Sequence, residues 1–220
     1  MTPTFDPELQ KQLEQPGIVS VLVLDHIEHA VPLAHALLKG GVRAIELTLR
    51  TPVALDAIRA IHREVPEIMV GAGTVLTPDQ VREAADAGAA FAVSPGMNPK
   101  VVETARTAGL SFAPGVATPT DIEQALEHGC RLLKFFPAAS LGGLPYLRNM
   151  AAPFQHLDIG FIPLGGINDG NAREYLEDPL IRAVGGSWLA PRDAMEQGDW
   201  GEITRRATEA VQRAQDAATL

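Results

Sequence analysis

The 220-residue chain has a single cysteine, Cys130, so no internal disulfide can form, and a reducing cytosolic setting is expected. Basic side chains are the minority, 18 against 27 acidic ones, for a formal charge of −9. That balance argues against nucleic acid or an anionic membrane surface as the main partner. No run of about 18 apolar residues occurs, so no membrane-spanning helix is expected. The opening segment, MTPTFDPELQKQLEQPG, is polar and acidic rather than basic then apolar, and reads as no secretory leader. Low-complexity stretches, charge runs and linker-like regions are also missing. What remains is a compact acidic chain, 46% hydrophobic but only 5% aromatic, of a length that suits one domain with a sizeable core. Lysine is scarce too: Lys11, Lys39, Lys100 and Lys134 stand against 14 arginines.

What is present is a rhythm. Short runs rich in Val, Ile, Leu and Phe occur at 18–24, 44–49, 68–72, 90–94, 110–114, 132–136, 160–164 and 181–186, the last interrupted by Arg182. These are eight candidate strands at intervals of about 20–28 residues, each gap long enough for a crossover helix. Such alternation predicts repeated βα units and a parallel sheet. Thr51-Pro52, Thr77-Pro78, Asn98-Pro99 and Thr118-Pro119 each set a capping side chain before a proline at the first helical position. Leu55, Ile58, Ile61 and Val65 share one helical face. Residues 5–15 read as a short leading helix and 200–218 as a closing one.

The predicted fold class is therefore α/β, a (β/α)8 TIM barrel with a short N-terminal helix. Residues 1–220 are expected to form a single barrel domain, 1–16 being a helical extension. Eight units in this length suit a barrel, a fold that starts near ~200 residues. The competing architecture is an open doubly wound sheet, and no G-x-G-x-x-G fingerprint opens the first helix to support it.

In a barrel the outer face of each strand is covered by helices, so polar residues of an alternating strand point inward. In the second strand Ile45, Leu47 and Leu49 belong outside, leaving Glu46, Thr48 and Arg50 inside. A carboxylate and a guanidinium in a packed interior need a reason; a satisfied internal ion pair is one. In the sixth strand Leu133 and Phe135 share one face, Lys134 and Phe136 the other. A lysine in mid-strand is unusual, and burial favours its neutral amine, the form that attacks carbonyls to give a Schiff base. The plainer readings are that Lys134 snorkels from a strand end or pairs with Glu46. The other three lysines fall at ordinary helical or loop positions.

Glycines gather at the carboxyl ends of strands, where barrels place their chemistry: Gly71 and Gly73, Gly96, Gly115, Gly165-Gly166 and Gly185-Gly186-Ser187. The pairs after the seventh and eighth strands sit where barrels often hold phosphate through backbone N–H groups. No metal is expected. His26 and His29 are close in sequence, but His35, His62, His128 and His156 fall in helix-like segments and form no ligand cluster with Cys130. Cys130 itself reads as a small buried hydrophobe.

These residues resemble a known family. The segment 41–50, GVRAIELTLR, is similar to the active-site glutamate motif of the 2-keto-3-deoxy-6-phosphogluconate (KDPG) / 4-hydroxy-2-oxoglutarate (KHG) aldolases. The segment 129–138, GCRLLKFFPA, resembles their Schiff-base lysine motif. Segments 70–76, 94–96, 165–167 and 185–189 also match, so the likeness runs from about residue 16 onward. The resemblance implies a metal-free, cofactor-free class I lyase, a (β/α)8 barrel and a homotrimer in the cytoplasm. It assigns Lys134 the carbinolamine and Schiff base, and Glu46 the acid/base role. It sets Arg50 and Thr74 near the pyruvyl carboxylate, and Pro95 and Phe136 at the pocket wall. Gly165, Gly166, Gly186 and Ser187 would hold the phosphate. Many members carry a basic residue near the end of the first strand, where this sequence runs Val23-Leu24-Asp25-His26.

The expected function is retro-aldol cleavage of 2-keto-3-deoxy-6-phosphogluconate to pyruvate and glyceraldehyde 3-phosphate, with 4-hydroxy-2-oxoglutarate or the 6-phosphogalactonate analogue open to the same chemistry. The expected partners are thus a small phosphorylated keto acid and pyruvate. Two other classes stay open: a phosphosugar isomerase or epimerase with Glu46 as base, and a non-catalytic sugar-phosphate-binding barrel.

Overall fold

The structure, a computed structural model, describes residues 4–217. Its strands are β1 (Ile18–Leu22), β2 (Ala44–Thr48), β3 (Met69–Gly73), β4 (Phe91–Val93), β5 (Ser111–Ala113), β6 (Gly115–Val116), β7 (Leu132–Phe135), β8 (Gly160–Pro163) and β9 (Val184–Gly186). The α-helices are α1 (Pro7–Glu14), α2 (Ala30–Lys39), α3 (Ala54–Glu64), α4 (Pro78–Asp86) and α5 (Pro99–Ala108), then α6 (Pro119–Glu127), α7 (Gly143–Ala151), α8 (Ala172–Leu176), α9 (Arg192–Gln197) and α10 (Trp200–Ala217). Residue 218, the expected last residue of the closing helix, lies outside the described residues.

All strand pairing is parallel. Six strands form a curled sheet in the order β5-β4-β3-β2-β1-β9, and three form a second sheet in the order β6-β7-β8. The fifth expected strand is split at Pro114, which has no N–H for the ladder. At the other edge, β8 meets the final strand only through the bridges Phe161–Ile181 and Leu164–Gly185. Arg182 interrupts that strand as the sequence suggested, its side chain lying across Gly160, where an added Cβ would sit 2.5 Å from Arg182 Cγ. The regular ladder is thus a six-stranded curled sheet and a three-stranded one, where a single run of eight strands was expected.

Alternation along the strands sorts the apolar residues into two cores. Ile45, Leu47, Leu133, Phe135 and Phe161 pack outward under the helices. Val19, Ala44, Met69, Phe91, Leu132 and Ile162 pack on the concave face, joined by Phe5 and by Leu13 of α1. Asp6 caps α1 through Glu8 N–H at 2.8 Å and Leu9 N–H at 3.0 Å, and the Phe5 ring meets Phe91 at 6.2 Å between centroids. The leading segment therefore plugs the amino end of the concave core and leaves the carboxyl end open.

Three of the four expected proline-led starts are helix caps: Thr77 and Thr118 make capping boxes, and Asn98 accepts from Lys100 N–H. Thr51 is different. Helix α3 begins three residues later, at Ala54, and the Thr51 hydroxyl instead donates to the Leu24 carbonyl at 2.6 Å. It ties the loop after β2 to the loop after β1.

Candidate active site

The two buried ionisable residues of the concave face come from strands far apart in sequence. Glu46, in the middle of β2, pairs in register with Gly71 of β3 and Val21 of β1. Lys134, in β7, pairs with Gly115 and Ile162. Curling the sheet brings them face to face: Lys134 Nζ donates to Glu46 Oε1 at 3.0 Å. Their relative exposures are only 5% and 2%. Lys11, Lys39 and Lys100 are all exposed. The pairing that was one of the plainer readings of Lys134 is thus present. A buried pair of this kind is weak evidence for stability, because desolvating both charges offsets much of their attraction. It is better evidence for chemistry, because it sits at the floor of an open cleft.

The neighbours fix the pair tightly. Gly73 leaves room for the carboxylate: a Cβ there would lie 2.1 Å from Glu46 Oε1. The Phe136 ring centroid stands 5.5 Å from Lys134 Nζ, close enough for a cation–π contact. Thr48 faces inward as expected, but its hydroxyl is engaged by the Leu22 carbonyl at 3.0 Å. Arg50 lies past the end of β2 and is exposed at the mouth, not packed inside, because the strand stops at Thr48.

The cleft above the pair has a volume of about 430 Å³. Its lining includes every residue to which the family resemblance assigns a role, Lys134 and Glu46 at the floor, Arg50, Thr74, Pro95 and Phe136 at the sides, and Gly165, Gly166, Gly186 and Ser187 at the rim, but not the strand-end glycines Gly71, Gly73, Gly96 and Gly115. Thr74 has φ 58, a left-handed conformation that is costly for a β-branched residue and is met mostly at functional sites. Gly165 and Gly166 have φ 92 and φ 85, and a Cβ on Gly166 would lie 2.4 Å from the Ala139 Cβ. This turn needs glycine for its backbone and for its space. A larger hollow, about 590 Å³, lies at the amino ends of β2 and β3 beside Arg43, His62 and Glu67. It is on the side of a parallel sheet where binding sites are not built.

Sequence reading missed Arg192, Pro191 and Met195, which also line the cleft. The signal was a cation five residues after Ser187, directly behind a proline. Cys130 is wholly buried in the outer core, and burial raises its thiol pKa. The His26 and His29 rings meet edge to face at 5.4 Å. Among the described residues no group of three or more His, Cys, Asp or Glu side chains is placed to hold a metal ion, and no helix is long and apolar enough to cross a membrane.

Comparison with known proteins agrees with this geometry. The KDPG and KHG aldolase family model matches residues 9–206. The KHG/KDPG aldolase of Escherichia coli (strain K12) is 47% identical over 197 residues, 90% of this chain and 92% of that protein. Among solved structures, the KDPG aldolase of Zymomonas mobilis with 3-phosphoglycerate superposes with a TM-score of 0.85 at 42% identity, covering 93% and 94% of the two chains. The KDPG aldolase of Legionella pneumophila, with pyruvate captured at low pH as a covalent carbinolamine intermediate, gives 0.84 at 39% identity over 87% and 92%. A family match across nine-tenths of the sequence, with a buried Lys–Glu pair at the floor of its cleft, means that the chain belongs to the KDPG and KHG aldolase family.

Proposed function

We propose that this protein is a class I aldolase that cleaves 2-keto-3-deoxy-6-phosphogluconate to pyruvate and glyceraldehyde 3-phosphate through a Schiff base on Lys134. The observation that carries the proposal is the 3.0 Å contact between Lys134 Nζ and Glu46 Oε1 at the buried floor of a cleft whose rim is glycine backbone and arginine.

The chemistry follows from that contact. Glu46 takes a proton from the Lys134 ammonium, and the amine adds to the C2 ketone to give a carbinolamine. Loss of water, with the proton supplied by Glu46, leaves the iminium. The Glu46 carboxylate, now free of its proton, takes the proton of the C4 hydroxyl, and the C3–C4 electron pair flows into the iminium, releasing the aldehyde and leaving an enamine in place of a free carbanion. Protonation at C3 and hydrolysis then free pyruvate and the lysine. Proton transfer by a group this close typically contributes ~10²–10⁴-fold. Arg50 offers a two-pronged donor to the pyruvyl carboxylate, with Thr74 beside it, and Pro95 and Phe136 wall the reacting carbons. Gly165, Gly166, Gly186 and Ser187 receive the phosphate.

The same lysine and glutamate serve 4-hydroxy-2-oxoglutarate, giving pyruvate and glyoxylate, a reading supported by the double name of the E. coli relative. The proposal extends to a single barrel domain whose two sheets close through the β8–β9 bridges, to a homotrimer, and to a cytoplasmic setting. Sodium borohydride with pyruvate tests the core of it. A reduced pyruvyl adduct is expected on Lys134, and Glu46→Gln is expected to lower turnover by roughly 10²–10⁴-fold. No adduct at saturating pyruvate would overturn the proposal and leave the isomerase or binding-protein readings.

A further inference from the structure

We infer that Arg192 is the residue that makes this cleft prefer a phosphorylated substrate, an inference that rests on the aldolase reading above. Four charged residues line the cleft: Glu46, Lys134, Arg50 and Arg192. The first two face each other at the floor and balance. Arg50 stands at the end of β2, near Thr74, where the carboxylate is placed. A keto-acid phosphate brings a further dianion, and Arg192 is the cation that remains for it.

Its position suits that task. Arg192 opens α9, five residues past Ser187, and it lines the cleft together with Gly186, Ser187 and Pro191. The side chain is exposed, yet it is held from two sides. Nη2 donates to Asp25 Oδ2 at 2.7 Å, and Nε donates to Glu196 Oε1 at 3.2 Å. Those contacts engage Nη2 and Nε, so Nη1 is the donor assigned to the phosphate. Guanidinium matches a phosphate through paired donors where an ammonium offers only a point charge. Asp25 is the counter-charge that keeps the arginine in place when no anion is bound, and it crosses 167 positions of sequence to do so.

The experiment compares kcat/KM for 2-keto-3-deoxy-6-phosphogluconate with that for its unphosphorylated counterpart, in the wild type and in Arg192→Ala, Arg192→Lys and Asp25→Asn. Arg192→Ala is expected to lower the phosphorylated rate by roughly 10- to 100-fold, as for loss of a charge-assisted hydrogen bond, and to leave the unphosphorylated rate within about twofold. Arg192→Lys should recover part of the preference. Asp25→Asn should retain the preference, because the amide oxygen can still accept from Nη2 and hold the fork while the competing charge is gone. If the ion pair were only a strut across the mouth, Arg192→Ala and Asp25→Asn would depress both substrates alike; that result, or an unchanged ratio in Arg192→Ala, overturns the inference. Pyruvate has no phosphate end, so borohydride trapping on Lys134 should be equal in wild type and Arg192→Ala. Failure to trap in the wild type would sink the aldolase reading instead.

Discussion

Gly73→Ala should break the proposed reaction while leaving Lys134 and Glu46 themselves unchanged. Gly73 is the last residue of β3 and lies in register with Thr48. A Cβ there would stand 2.1 Å from Glu46 Oε1, 2.6 Å from its Cγ and 2.7 Å from its Cδ. Ordinary contact needs roughly 3.5 Å, so the carboxylate must retreat by more than about 1 Å. The backbone of Glu46 cannot follow, because β2 is laddered to β1 and β3 on both sides. The whole side chain must then rotate, since its Cγ is crowded as well, and the 3.0 Å contact with Lys134 is lost. Misplacement by about 1 Å costs on the order of 10²-fold in rate, and leaving one partner of a buried pair uncompensated costs about 3–5 kcal/mol of stability. Steady-state cleavage, borohydride trapping and urea unfolding would read these effects on one preparation. Gly96→Ala, where a Cβ meets nothing within 4 Å, is the matched control and should behave like wild type. A Gly73→Ala enzyme with near-normal kcat and an unshifted urea midpoint would refute the argument that Glu46 must occupy this place.

Three further outcomes follow from particular residues. At Thr74, φ 58 makes Gly a better fit than Ala, so Thr74→Gly should be more stable than Thr74→Ala by about 1 kcal/mol, read as a higher urea midpoint, while both lose activity; equal midpoints would mean the conformation stores no strain. Phe5→Ala should remove about 3–5 kcal/mol of stability, read by thermal or urea unfolding, because the ring is 3% exposed and packs on Phe91; a loss below about 1 kcal/mol would mean that the leading segment does not plug the core. The Cys130 thiol, buried and with its pKa raised by that burial, should resist a thiol reagent at neutral pH until the chain unfolds; stoichiometric labelling of the native protein would contradict that placement.

Much of this molecule was legible in the sequence because strand alternation is a strong signal wherever both faces are covered. The reading that Ile45 and Leu47 face helices while Glu46 and Thr48 face inward needed only the period of two, and the curled sheet obeys it. Lys134 could be singled out from four lysines for the same reason. Local chemistry read well at Thr77, Asn98 and Thr118, where capping decides the backbone. It failed at Thr51, because a hydrogen bond to the Leu24 carbonyl, across 27 residues, outcompeted the local cap. The fifth strand was expected to run unbroken through 110–114, and its split at Pro114 was missed because the way the sheet breaks depends on strand neighbours that no local pattern contains. Arg192 was passed over although a cation directly behind Pro191 was in view, because its partner Asp25 is brought to it only by the fold.

The acidic character of the chain and its anionic substrate are reconciled by where the charges lie. A net charge of −9 describes the outside, where acidic residues and arginines form exposed helical pairs such as Glu202 with Arg205 and Asp56 with Arg59. Such pairs are screened within about 8 Å at physiological salt, so they do little to repel a ligand inside the cleft. Within the cleft, three cations and one carboxylate line the wall. Because Lys134 and Glu46 compensate each other, the floor is close to neutral, and under the proposed assignment the attraction for the free substrate comes from Arg50, Arg192 and the backbone N–H groups of the rim. That division separates binding from chemistry. The rim arginines should govern KM and its dependence on salt, while the buried pair should govern kcat, which screening scarcely reaches.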